Sequence, residues 1–136
     1  MRRGKTRYVL ADTAQQTVGG IILGGPFVMA EEIWNMAGNV SSLHLAATVL
    51  IVLGIGYTAL YEADETRDPD IEKSFFGIPL RFISLVAVSY LSVGIIAVVV
   101  SAPQTFSADV TTGVKAVMIS AIFSVVGAAT ADTVFR

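Results

Sequence analysis

The sequence predicts an all-α membrane protein, four transmembrane helices in one bundle, and three observations carry that reading. Hydrophobic residues fill 54% of the 136 positions and the mean hydropathy is +0.69, too apolar for an ordinary soluble domain. The apolar residues are gathered into runs that meet the roughly 20 helical residues needed to cross about 30 Å of hydrocarbon. The basic residues, finally, collect on one side of those runs. The spans fall at residues 13–34, 43–61, 79–102 and 114–135, with an acidic loop at 62–78, and together make one domain over 1–136.

The first span is long and lacks a small-residue cleavage site followed by a free mature domain, so it is read as a helix and not as a secretory signal. Within it, Asp12, Gln16, Gly20, Gly24 and Glu32 recur at multiples of four, interrupted by Val28, and form a polar and small stripe on one helix face. Pro26 removes a backbone donor and frees a carbonyl near Ile22, so a kink is expected. Two readings follow: a pore-lining or ion-coordinating helix in which freed carbonyls and carboxylates supply hard oxygen ligands, or close helix packing through Gly20 and Gly24. For the glycines, packing is preferred.

At the end of this span Glu31 and Glu32 precede Trp34. Carboxylates in or near a bilayer are costly and mark function by default, so the pair is read as a cation-selecting mouth, with Trp34 at the interface. Helical phase puts Glu32 on the glycine stripe and turns Glu31 toward a neighbouring helix, a second subunit or His44. Asn35 and His44 complete the candidate ion site. The bland alternative is an acidic pair in headgroup water and a histidine hydrogen-bonded to solvent or backbone.

The second and third spans have charge-free interiors. Ser84, Ser89, Tyr90 and Ser92 in the third read as packing hydroxyls. Between these spans, Asp68-Pro69 resembles an N-cap followed by proline at the first helical position, so a short interfacial helix ending near Gly77 and Pro79 is expected. The acidic loop lacks full calcium-loop spacing and reads as solvated.

In the fourth span Ala116, Ser120, Ser124, Ala128 and Asp132 lie at four-residue intervals, the clearest seam for close helix packing. Asp132 ends it. As function, Asp132 would be an inner gate or relay paired with Asp12 across the bundle. As structure, it would meet Arg136 or another arginine, and that version is preferred.

Arg2, Arg3, Lys5, Arg7, Arg67, Lys73, Arg81 and Arg136 fall on the side of the termini and middle loop, and Lys115 alone on the other. Positive charge collects on the cytoplasmic side of spans, so both termini are placed in the cytoplasm and Glu31 and Glu32 outside. The pI near 5.2 and the acidic loop suit a high-salt cytoplasm, a compositional hint of a halophilic archaeon.

Several chemistries drop out. The absence of cysteine excludes disulfides, thiolate metal sites and cysteine nucleophiles, and His44 alone is a poor basis for zinc. No phosphate loop, Ser-His-Asp order or haem-ligand pair is present, so no enzyme and no cofactor is expected, and a metal site is left open. The short basic N-terminus explains topology, gives no support for nucleic-acid binding, and falls short of the clusters that recognise specific lipids.

Gly25-Pro26-Phe27-Val28-Met29-Ala30-Glu31-Glu32-Ile33-Trp34 resembles the first-span signature of an uncharacterised archaeal and bacterial family of small integral membrane proteins, with Ala30 inserted between the methionine and the acids. The resemblance covers one span. It implies a multi-helix membrane protein and carries over no activity.

Four helices enclose little beyond their own core, whereas a symmetry axis lines a pore with rings of identical side chains. The expectation is therefore a homo-oligomeric cation channel or carrier in the cell membrane, in contact with lipid and a cation. Glu32 selects, Gly20, Gly24 and Pro26 shape the path, Gln16 and Asp12 continue it, and Asp132 influences its inner end. The alternative is a structural or accessory subunit assembling through small-residue faces. In that case other helices should cover the glycine stripe and the acids should project into water. A small secondary transporter is the third reading, without a residue-level repeat to support it.

Overall fold

The computed structural model describes residues 10–62, 74–75 and 78–134. The chain is predominantly helical. Helix α1 spans Leu10–Val28 and α2 Glu31–Ala37. Helix α3 spans Ser42–Tyr57 and continues into a π-helical turn, Thr58–Glu62. Strands β1 (Ser74–Phe75) and β2 (Ile78–Pro79) pair antiparallel, Ser74 with Pro79 and Phe75 with Ile78. Helices α4 (Leu80–Val99), α5 (Ala102–Thr105) and α6 (Val110–Val134) complete the chain.

Three helical stretches are long and apolar enough to cross a membrane: Ser42–Tyr61, Leu80–Val99 and Val110–Val134. Their placement follows the second, third and fourth predicted spans. The first differs. Helix α1 stops at Val28, after Pro26 in its last turn, and Ala30 takes an extended conformation (φ −88°, ψ 130°) before α2 begins. A proline cannot continue the backbone ladder and the chain breaks one turn beyond it. The buried indole of Trp34 secures the break by donating from Nε1 to the Val28 carbonyl at 2.7 Å, and it stacks on Phe106 with ring centroids 5.5 Å apart. Trp34 is thus a core residue. The interfacial helix expected between Asp68-Pro69 and Gly77 is corrected at its far end, where Ser74–Phe75 is a strand paired with Ile78–Pro79; its beginning, the basic N-terminal residues and Arg136 lie outside the described residues.

Helix α1 packs most extensively on α6 and next on α4, α4 also meets α6, and α3 lies outside this trio against α6 and α4. The distribution of residue types is inverted relative to a water-soluble bundle. Asp12, Gln16, Arg81, Ser120, Ser124 and Asp132 are buried, while Leu10, Leu43, Leu50, Val98 and Val99 are exposed. Such a surface suits lipid, where helices associate through small and polar contacts because apolar faces gain nothing by leaving hydrocarbon. The protein is membrane-associated through these helices.

At the start of α6 the Asp109 carboxylate accepts the Thr112 N–H at 2.8 Å, an N-cap. That backbone bond, with help from the Thr112 hydroxyl and Lys115, holds the carboxyl below the ordinary aspartate range. A depressed folded pKa gives stabilisation that is present above the unfolded value and lost as pH falls through the folded one. Melting the wild type and Asp109→Ala across acidic pH is expected to show a stability gap that is constant near neutrality and closes in acid.

Candidate functional site

The buried charged residues of α1, α4 and α6 converge at one end of the bundle. Arg81, on the first turn of α4, is 1% exposed. Its Nη1 donates to both carboxylate oxygens of Asp132 on α6, at 2.9 and 3.0 Å, and its Nη2 lies 3.1 Å from Asp12 Oδ2 on α1. One planar guanidinium therefore ties three helices, a task its fixed fork of donors performs and a lysine point charge cannot. Asp132 thus meets an arginine, as the preferred structural reading expects, and that arginine is Arg81, whose guanidinium also holds Asp12.

One turn further along, Ser84 donates to Gln16 Oε1 at 2.7 Å and shares a 2.8 Å hydrogen bond with Thr13. Beyond that lie the glycines. A Cβ added to Gly20 would stand 2.8 Å from Ser124 Oγ and 3.2 Å from Ser92 Oγ, and one on Gly24 would stand 2.6 Å from Val93 Cγ1 and 2.7 Å from Ser124 Cβ. On the adjoining face, a Cβ on Gly19 or Gly127 would run into the other's backbone carbonyl. The glycine stripe is therefore covered by α4 and α6 of the same chain, as the packing reading expects. Ala116, Ser120, Ser124, Ala128 and Asp132 are all buried along α6, so the predicted seam exists and is used internally.

Glu31, Glu32 and Asn35 do not join this stripe. They are exposed on α2, and the expected continuation of the α1 phase to Glu32 is corrected by the break at Val28. In the first turn of α2 the two carboxylates face the positive end of the helix dipole, a sufficient local role. His44 is also exposed, and its Nδ1 accepts the Ser41 N–H at 3.1 Å at the start of α3. The backbone partner foreseen in the bland reading is the one it has. Among the described residues no group of three or more acidic or histidine side chains is placed to hold a metal ion.

An open groove of about 720 Å³ separates α4 from α6 toward the other end, lined by Trp34, Tyr90, Gly94, Val117 and their neighbours. Its lining is almost wholly apolar, with Asp109 as its one charged residue.

Arg81, Gly19 and Gly127 are the residues that sequence reasoning missed. Arg81 was visible: it lies three, eight and eleven positions before Ser84, Ser89 and Ser92, on the polar side of an otherwise apolar span. The Gly19 and Gly127 approach depends on how two distant segments cross, which no local pattern encodes. No protein-family model, curated protein or solved structure matches this chain.

Proposed function

We propose that this chain is a structural or accessory membrane subunit whose polar and small residues close its own core and whose lipid-facing helices meet a second copy of itself. The coverage of Gly20 and Gly24 by α4 and α6 carries this reading, because it turns the α1 stripe inward. Exposed Glu31 and Glu32, off that stripe, support it further. Helix α3 offers the surface for association: it is the least covered of the three long apolar helices and exposes Ala46, Ala47 and Gly54 on neighbouring turns beside Leu50, the first three being small residues that let another helix approach. In this reading α1 crosses the bilayer as the fourth helix, shielded from lipid on its polar side by α4 and α6.

A cation channel or carrier is the second reading, favoured by the buried charges of Asp12, Arg81 and Asp132, since ionisable groups at membrane depth are functional by default. Its path would run inside one protomer along the α1 seam. Proteoliposomes separate the two. The subunit reading expects cation flux no greater than in protein-free vesicles, together with cross-linked dimers or larger species that Gly54→Leu weakens. Flux that Glu31→Gln and Glu32→Gln abolish would restore the outer mouth as a filter. Those two changes are instead expected to leave stability within about 0.5 kcal/mol, as is usual for exposed positions.

A further inference from the structure

Several hydroxyls on these helices return to their own backbone. Thr17 donates to the Thr13 carbonyl, Ser89 to that of Leu85 and Thr130 to that of Val126, at 2.7 to 2.8 Å. Ser92, Ser120 and Ser124 do not. They are buried, at 3%, 0% and 0% exposure, and their Oγ atoms have no hydrogen-bond partner among the described residues. The Nε2 of fully buried Gln16 is in the same condition, although its Oε1 is engaged by Ser84. These four groups share one seam: Gln16 lies a turn from Gly20, the Ser92 and Ser124 hydroxyls converge on Gly20, and Ser120 lies a turn beyond Ser124 on α6.

We propose that the seam beside Gly20 binds ordered water between its unpartnered polar groups, held by Ser92 and Ser124 and extended toward Gln16 and Ser120. Buried polar groups left without partners carry a desolvation cost comparable to a lost hydrogen bond, and internal water relieves it by making about three hydrogen bonds to such groups. The chemistry favours water over a metal cation. A cation needs oxygen ligands throughout, whereas the Gln16 amide presents a donor; hydroxyls that both donate and accept suit water. The site stands apart from the subunit reading, since an enclosed water pocket is compatible with either function.

Solid-state NMR of the full chain in lipid bilayers, with polarisation transferred from water, tests it. Transfer to Ser92 and Ser124 is expected, with none to Gly19 or Gly127, and Gly20→Ala is expected to remove it. The double variant Ser92→Ala/Ser124→Ala provides a readout that does not need Gly20→Ala to fold: its melting temperature is expected to fall by a few degrees, because the water loses its partners. Absence of transfer to both serines, or a melting temperature raised by the double variant, would show a dry seam and overturn the proposal. So would transfer that disappears when choline is replaced by sodium in the medium, since a cation would then be the occupant.

Discussion

Replacing Arg81 with methionine is expected to lower stability by about 3–5 kcal/mol, the usual consequence of removing one partner from a buried ion pair. Arg81 Nη1 engages both oxygens of Asp132, and Nη2 reaches Asp12, so the variant withdraws the guanidinium from two buried carboxylates at once. Arg81→Lys is expected to recover only part of the loss, because a single ammonium nitrogen cannot stand at both positions that Nη1 takes on Asp132 and Nη2 on Asp12. The combination Asp12→Leu/Arg81→Met/Asp132→Leu is expected to recover more than the lysine. Exchanging a whole buried charge cluster for well-packed apolar side chains is often neutral or stabilising. Thermal unfolding of the four proteins in one lipid or detergent environment checks the order.

The second large effect is steric. Alanine at Gly19 would carry its Cβ into the Gly127 carbonyl and to 2.6 Å from the Ala131 Cβ, and alanine at Gly127 would meet the Gly19 carbonyl and stand 2.8 Å from the Leu23 Cβ. Backbone blocks both positions, so the helices must separate, and a cost near 3 kcal/mol is expected, at the upper end for overpacked cores. Gly54 gives the contrast. An added Cβ there meets nothing within 4 Å, so Gly54→Ala is expected to be neutral or to stabilise α3 by up to about 1 kcal/mol through helix propensity. Parallel melting curves of Gly19→Ala, Gly127→Ala and Gly54→Ala separate close approach from a general intolerance of glycine substitution.

Much of the fold is legible in the sequence because hydrocarbon imposes a simple rule of length and apolarity. The runs around Ser42–Tyr61, Leu80–Val99 and Val110–Val134 satisfy it without any knowledge of packing. The four-residue spacing of Ala116, Ser120, Ser124, Ala128 and Asp132 likewise predicts a buried face, since helical periodicity alone puts those positions in line. Legibility ends where the chain breaks. Pro26 announces a disturbance, but whether the helix kinks and continues or stops is decided by the Trp34 indole on the Val28 carbonyl and by Phe106 beneath it. Because the helix stops, the phase that would carry the stripe from Gly24 to Glu32 is lost.

The candidate site shifted for a related reason. Acidic residues beside a tryptophan draw attention in a linear reading, whereas Asp12, Arg81 and Asp132 are far apart in sequence and meet only when α1, α4 and α6 assemble. Arg81 counts toward topology by its charge alone, and its partners appear only when the helices assemble. Among the serines of the third span, Ser89 fits the description of a packing hydroxyl through its bond to Leu85, while Ser92 faces the seam.

The inward-facing α1 seam is tested most directly by thiol accessibility, for which a cysteine-free chain is well suited. Ser92→Cys and Ser124→Cys are near-isosteric and place single thiols in the seam, and Glu32→Cys places one on the exposed face of α2. In intact membranes treated from both sides with a charged, membrane-impermeant thiosulfonate, Glu32→Cys is expected to react readily while the two seam thiols stay protected until the protein is unfolded. Modification of the seam thiols at a rate comparable to Glu32→Cys would mean an open aqueous path along α1, and would contradict a closed core.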